Sequence, residues 1–152
     1  MAPIERTFAM VKPDGVARGL VGETIRRYEA RGLKVAALKM VRVTRTFAEA
    51  HYGEHKGKPF YEGLVQFITS GPVAAMVIEG PNAIRVVRDV NGATDPAKAV
   101  PGTLRGDLAV EIGRNVVHGS DSAETAAREI KLWFSDDDVL TYARADEAWT
   151  HE

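Results

Sequence analysis

The residues from Thr7 to Gly15 read TFAMVKPDG. Thr7 to Lys12 is a short, mostly apolar run. Pro13-Asp14-Gly15 stops it with the residue types that favour a tight turn. Such a run bounded by a turn predicts a buried strand.

The pattern outward from this strand alternates. Val21, Ile25 and Tyr28 recur at i, i+4 and i+7 and are followed by Gly32, which predicts a helix with a glycine stop. Leu33 to Val43 is rich in β-branched and aliphatic residues and reads as a long strand, with a bulge near Lys39 where its alternation slips. Thr46 and Glu49 have the spacing of a capping box, which places a short helix there, breaking at or soon after Gly53. Tyr61, Leu64, Val65 and Ile68 form another helical stripe, ended by Ser70-Gly71-Pro72. Val73 to Ile78 reads as a second buried strand, and Gly80-Pro81-Asn82 as the opening of a helix carrying Ile84, Val87 and Val90, closed at Asn91-Gly92. From Gly92 to Arg114 no period is clear, and Pro96, Pro101 and several glycines interrupt the chain. Irregular segments longer than about 15 residues are usually functional or disordered. Val116 and Val117 look like a short strand, with His118 at the junction just after it. Ala126, Ala127, Ile130, Trp133 and Phe134 mark a final helix, with Asp121 and Glu124 near its start, where acids suit the helix dipole.

Strands interleaved with helices in this order predict an α/β chain, more specifically an α+β sandwich of the ferredoxin-like, split-βαβ kind. Its four-stranded antiparallel sheet is covered by helices and has a long loop before the last strand. There is no repeat, low-complexity segment or linker, so residues 1–152 are expected to form one domain. The length suits a single sizeable core. With 20 basic against 21 acidic residues, net charge −1, there is no bulk basic field to attract nucleic acid. The absence of cysteine excludes disulfides and thiolate metal sites. No apolar run approaches the roughly 20 residues of a membrane helix, and the amino terminus lacks a long apolar core, so a cytoplasmic protein is expected.

His118 is the first candidate for chemistry. It lies in NVVHGSD, where glycine and serine leave room for a ligand and a helix N-terminus follows, a place that attracts anions. Glu129 in that helix is positioned to orient an imidazole and support it as a nucleophile; the plainer reading is a solvated helix face. Lys12 ends the first strand, where residues meet ligands, or else simply reaches water. VKPDGVARGLVG does not fit a Walker-type phosphate loop. Arg88, Thr94 and Arg105 form a third group: Arg88 could merely cap its own helix, whereas Arg105, among glycines in PGTLRGD, suits phosphate oxygens. The Arg105-Gly106-Asp107 tripeptide is discounted as an integrin motif. His51 and His55 stand four apart, a zinc-like spacing without an apparent third ligand, so no metal site is assigned. Phe60 is either core or an exposed platform for a planar ligand.

Together the stretches TFAMVKPDGVARGLVGE, HYGEHKGKPFYEGLVQFITSGPVAAMV, GATDPAKAVPGTLRGD and NVVHGSDSAETAAREIKLWF resemble the nucleoside diphosphate kinases, in the family's order and over residues 6–134. The combination of NxxHGSD with PGTxRGD is highly specific. The resemblance implies ping-pong transfer of a γ-phosphoryl group from a nucleoside triphosphate, typically ATP, to a nucleoside diphosphate through a phosphohistidine, which maintains nucleotide pools. It implies that His118 is the nucleophile, that Glu129 steadies it, that Ser120 holds the glutamate and that Tyr52 lies near the histidine. Lys12 and Asn115 would contact the ribose region, with Lys12 also near the phosphates. Arg88, Thr94 and Arg105 would bind phosphates, and Phe60 would stack on the base with Ile112 on its other face. It further implies Mg2+ accompanying the nucleotide, and a homohexamer, with a tetramer or dimer as alternatives, in which the terminal segments 1–5 and 135–152 make subunit contacts. Tyr61 and Val117 depart conservatively from the family pattern, and the tail beyond Phe134 matches less well. The alternative is a nucleotide-binding regulatory or nucleic-acid-binding protein without transfer; all the motif residues it would lack are present.

Overall fold

The dense apolar runs become the centre of a sheet. A computed structural model describes residues 2–152; Met1, part of the amino-terminal segment expected to make subunit contacts, lies outside the described residues. Strand β1 (Ile4–Val11) is followed by the short helix α1 (Pro13–Ala17), helix α2 (Val21–Ala30) and strand β2 (Lys34–Val41). Helices α3 (Arg45–His51) and α4 (Tyr61–Ile68) lead to β3 (Val73–Pro81) and α5 (Ala83–Asn91). The short helix α6 (Leu104–Leu108) precedes β4 (Val117–Gly119), α7 (Ala123–Trp133) and a terminal turn of helix, α8 (Glu147–Thr150). The sheet is antiparallel throughout, in the order β2-β3-β1-β4. This is the four-stranded α+β architecture expected from the sequence.

The alternation of side chains along a strand explains why β1 and β3 read as unbroken apolar runs. Phe8, Met10, Val73, Ala75 and Val77 pack on one face with Ala48 of α3, Val65 and Ile68 of α4, and Trp133 of α7. Ala9, Val11, Ala74, Met76 and Ile78 pack on the other with Tyr28 of α2, Val87 of α5 and Leu104 of α6. Both faces are covered, so neither strand has a polar side.

Several local expectations are corrected. The bulge in β2 falls at Ala36, where the register with β3 slips between Val35 and Ala37, and not near Lys39. Lys39 lies downstream, in a stretch where Leu38, Lys39 and Met40 are all exposed. The cap of α3 is Thr44, whose side chain accepts the Phe47 N–H; Thr46 is inside the helix. Strand β3 runs on through Gly80 and Pro81, residues read as a helix opening, because they continue the pairing with Glu5 and Ile4; the helix begins only after Asn82. The long segment 92–114 contains α6, capped by the Thr103 side chain, and short 3-10 turns at Pro96–Lys98 and Ile112–Arg114. Gly106 is required in it: a Cβ there would stand 2.0 Å from the Val100 carbonyl oxygen. Asp107 accepts the Gly102 N–H and pairs with Arg27, so the Arg-Gly-Asp tripeptide is a loop staple. Past α7 the tail runs beside β2: Leu140 N–H donates to the Ala36 carbonyl, Tyr142 hydroxyl to that of Val35, and Arg144 to that of Leu33. Among the described residues, no helix is long and apolar enough to cross a membrane.

Candidate active site

His118 does not follow β4 but is its middle residue, paired with Met10 of β1. The strand therefore includes the imidazole instead of ending before it, and the ring inherits the rigidity of the sheet. Its side chain is 24% exposed, accessible yet backed by protein. Helix α7, capped by Ser122, buries Ala126, Glu129 and Trp133 along one stripe. Glu129 is thus on the inward face of its helix, not the solvated one. Its carboxylate meets Nε2 of His118 at 3.0 and 3.1 Å. Buried Ser120 donates its hydroxyl to the same carboxylate at 2.6 Å, while its backbone N–H is held by the Phe8 carbonyl. Burial alone would raise the Glu129 pKa, but the hydrogen bond and charge of His118, with His51 and Ser120, more than offset it and hold the acid below its usual range.

The approach to β4 is strained. Val116 has φ 74°, and the Val117 N–H donates back to the Asn115 carbonyl at 2.8 Å, a γ-turn centred on a β-branched residue. Such a conformation costs on the order of 1–3 kcal/mol and persists only where its surroundings over-determine it. Here the Lys12 N–H donates to the Val116 carbonyl, and Asp14 Oδ2 accepts the Val116 N–H at 3.0 Å. The Pro-Asp-Gly turn after β1 therefore clamps the turn before β4.

Arg105, buried at the start of α6, completes the clamp. It donates Nε to the carbonyl of Asn115, Nη1 to that of Gly92 at 2.8 Å and Nη2 to that of Val117 at 2.6 Å. Burial, partly offset by Tyr28 and reinforced by Arg88, lowers its pKa to about 10, so it stays charged at neutral pH. Three of its five N–H groups make these bonds. Lys12 donates its ammonium to the side-chain oxygen of buried Asn115, whose amide nitrogen donates to the Thr94 carbonyl at 2.9 Å. Burial first, then the Arg105 charge, lower the Lys12 pKa to about 8 against the opposing pull of Asp14. Arg88 is exposed and reaches across to the Gly119 carbonyl at 3.1 Å instead of capping its own helix.

Sequence reasoning thus assembled a real cluster: His118, Glu129 and Ser120 in one network, with Lys12, Asn115, Thr94 and Arg105 around the turn into β4 and Arg88 at its exit. Tyr52 packs edge-on against His51, with ring centroids 4.7 Å apart, and His51 in turn meets the His118 ring. Burial, with the Glu129 charge, raises the Tyr52 hydroxyl pKa to about 12. Phe60 and Ile112 are 51% and 60% exposed, and Phe60 carries His55 against its ring. His51 turns away from His55 into the protein, where the Trp133 indole N–H donates to its Nδ1 at 3.0 Å. Its place beside His118 was missed. The available signal was Trp133, a buried donor that needs an acceptor.

His51, His118 and Glu129 bring potential ligand atoms within 4.8 Å of one another. They do not suit a resident magnesium ion. That cation takes six oxygens in an octahedron, whereas two of these donors are imidazole nitrogens and Nδ1 of His51 is already engaged.

The family profile for nucleoside diphosphate kinase matches residues 5–139. This chain belongs to the nucleoside diphosphate kinase family. It is 60% identical over 149 residues to a nucleoside diphosphate kinase of Archaeoglobus fulgidus, covering 98% of this chain and 99% of that one. It is 58% identical over 149 residues to one from Carboxydothermus hydrogenoformans, covering 98% and 100%. The fold is also that of a halophilic nucleoside diphosphate kinase from Halobacterium salinarum, solved in complex with CDP. The TM-score is 0.95 at 51% identity, covering 99% of this chain and 100% of that chain. The protein is accordingly a phosphotransferase acting on nucleotides.

Proposed function

We propose that the protein transfers the γ-phosphoryl group of a nucleoside triphosphate, typically ATP, to a nucleoside diphosphate by a ping-pong route through phosphorylated His118, and so balances nucleotide pools. The observation that carries this is the engagement of His118 Nε2 by both oxygens of Glu129, which leaves Nδ1 as the ring nitrogen with a free lone pair. In the first half-reaction that lone pair forms the N–P bond as the bond from γ-phosphorus to the β,γ-bridging oxygen breaks, and the diphosphate leaves with the electron pair. The second diphosphate then reverses the step. As positive charge develops on the imidazole, the buried Glu129 carboxylate stabilises it.

Phosphoryl transfer needs positioning and charge more than acid–base work. Lys12, Arg88 and Arg105 are assigned to the phosphates. Asn115, with Lys12, is assigned to the ribose, and Thr94 to the phosphate side of the same cleft. Phe60 stacks on the base with Ile112 beside it, which accounts for tolerance of any base because stacking needs only a π-face. Magnesium belongs to this reading as part of the nucleotide substrate, held on its phosphates. The binding of CDP by the Halobacterium relative supports the substrate class. Self-assembly into a homohexamer is part of the same reading, and exposed Leu38, Met40 and Val110 supply apolar surface for it.

Initial rates test the ping-pong order: parallel double-reciprocal lines for donor and acceptor are expected, and intersecting lines would contradict it. The Lys12 site adds a pH dependence. Its charge is present below its pKa of about 8 and is lost above it. The expected kcat/KM therefore falls roughly tenfold between about pH 7 and pH 9, and Lys12→Gln, already slow, flattens that alkaline limb. An unchanged alkaline limb in Lys12→Gln would assign the titration elsewhere.

A further inference from the structure

Behind the His118–Glu129 pair lies a group that the transfer scheme does not use. His51, the last residue of α3, is buried. Its ring meets His118 edge-on, with centroids 5.2 Å apart and planes at 75°, and meets Trp133 at 5.4 Å and 85°. Phe8 and Tyr52 close its other sides. Its Nδ1 accepts the Trp133 indole N–H at 3.0 Å and also lies 3.7 Å from Oε2 of Glu129.

These two neighbours make opposite demands on one atom. An indole nitrogen can only donate, so Nδ1 must present its lone pair and the ring must carry its single proton on Nε2. An imidazolium has protons on both nitrogens and could not accept the bond. Without the indole donor, a proton on Nδ1 would face Glu129 at ion-pair distance and compete with His118 for the carboxylate. We propose that Trp133 and His51 act as a tautomer lock: the indole N–H keeps His51 neutral and so reserves the Glu129 charge for His118. His51 and Trp133 are positioning residues, and the inference rests on His118 being the nucleophile. The surrounding charges agree. Burial, then His118, Arg128 and His55, lower the His51 pKa to about 3 against the pull of Glu129 alone. Tyr52 faces the ring as a neutral phenol.

Ring-nitrogen NMR of the intact protein gives the first test. Between about pH 5 and pH 8, where a free imidazole titrates, His51 is expected to remain neutral with its proton on Nε2. A proton on Nδ1, or a charged His51 at pH 6, overturns the lock, and this measurement needs no variant to fold. Trp133→Phe keeps an aromatic ring but removes the donor. Freed of the indole, Nδ1 can carry a proton toward Glu129, and that ion pair works against burial to raise the His51 pKa toward neutrality, so the ring gains charge as pH falls. The variant's kcat is expected to drop about tenfold at pH 6 and to return to the parental value near pH 8.5, with nucleotide KM unchanged. A purely structural defect would lower kcat at every pH and would contradict the proposal. Adding His51→Asn to Trp133→Phe removes the titrating ring and should restore the pH 6 rate to within about threefold of the parent. If His118→Ala transferred phosphate at the parental rate, the reading of the nucleophile would fail. A flat Trp133→Phe profile with transfer still dependent on His118 would sink the lock alone.

Discussion

His118→Ala is expected to lower kcat for phosphoryl transfer roughly 10⁴-fold or more while leaving the fold intact. The size of the effect follows from the site's construction. The proposed mechanism has one nucleophile, and the lysine and arginines around it serve to position and stabilise phosphate. The survival of the fold follows from where the ring sits. The backbone of residue 118 keeps its pairing with Met10, and the side chain is partly exposed instead of filling the core. The local consequence is electrostatic: Glu129 loses its hydrogen bond from the His118 ring and retains Ser120, so its pKa rises. Steady-state rates with circular dichroism and a melting curve check the first two statements, and carboxylate NMR across a pH titration checks the third. A variant retaining a tenth of parental activity would show that another residue accepts the phosphate.

Arg105→Ala is expected to damage stability and catalysis together. One guanidinium holds the carbonyls of Gly92, Asn115 and Val117, which fasten the end of α5, the γ-turn and β4 to each other. Removing it orphans several buried acceptors and releases a strained turn that its clamp had maintained. A loss of roughly 3 kcal/mol or more is reasonable when a charged hydrogen-bonding group is deleted from such a site. Transfer should fall at least about 100-fold, because the proposed mechanism assigns the same residue to phosphate and its bonds fix the approach to His118. Arg105→Lys should not restore either property, since an ammonium cannot span three carbonyls held at fixed angles. Denaturant melts and kinetics on both variants test this. Full stability with lost activity would confine Arg105 to ligand binding, and the reverse result would make it a structural clamp only.

The contrast between these residues explains what could be read in advance. The sheet was legible because β1 and β3 are buried on both faces, and two-sided burial writes itself as an uninterrupted apolar run. His118, Glu129 and Lys12 were legible because a specific motif, or a polar residue at a strand end, points to ligands. The Ala36 bulge was misplaced because a bulge is a property of pairing between strands, whereas one strand's sequence records only that alternation has slipped. His118 was placed after its strand because glycine and serine resemble a loop, yet the Met10 pairing extends the strand through it. The strain at Val116 left no local trace at all. Valine is an ordinary strand residue, and its positive φ is imposed by Asp14, Lys12 and Arg105 from elsewhere in the chain. His51 was read through its spacing to His55, but its working partners, Trp133 and Glu129, come from a helix far along the sequence.

The central claim is a covalent intermediate on His118. Its most direct test is the intact mass of the protein after brief mixing with ATP and magnesium, beside His118→Ala, followed by addition of GDP. One added phosphoryl group in the parent alone, discharged by GDP with formation of GTP, is the expected result. An unchanged parent mass despite demonstrable ATP binding would contradict the phosphohistidine mechanism and favour a protein that binds nucleotide without carrying its phosphate.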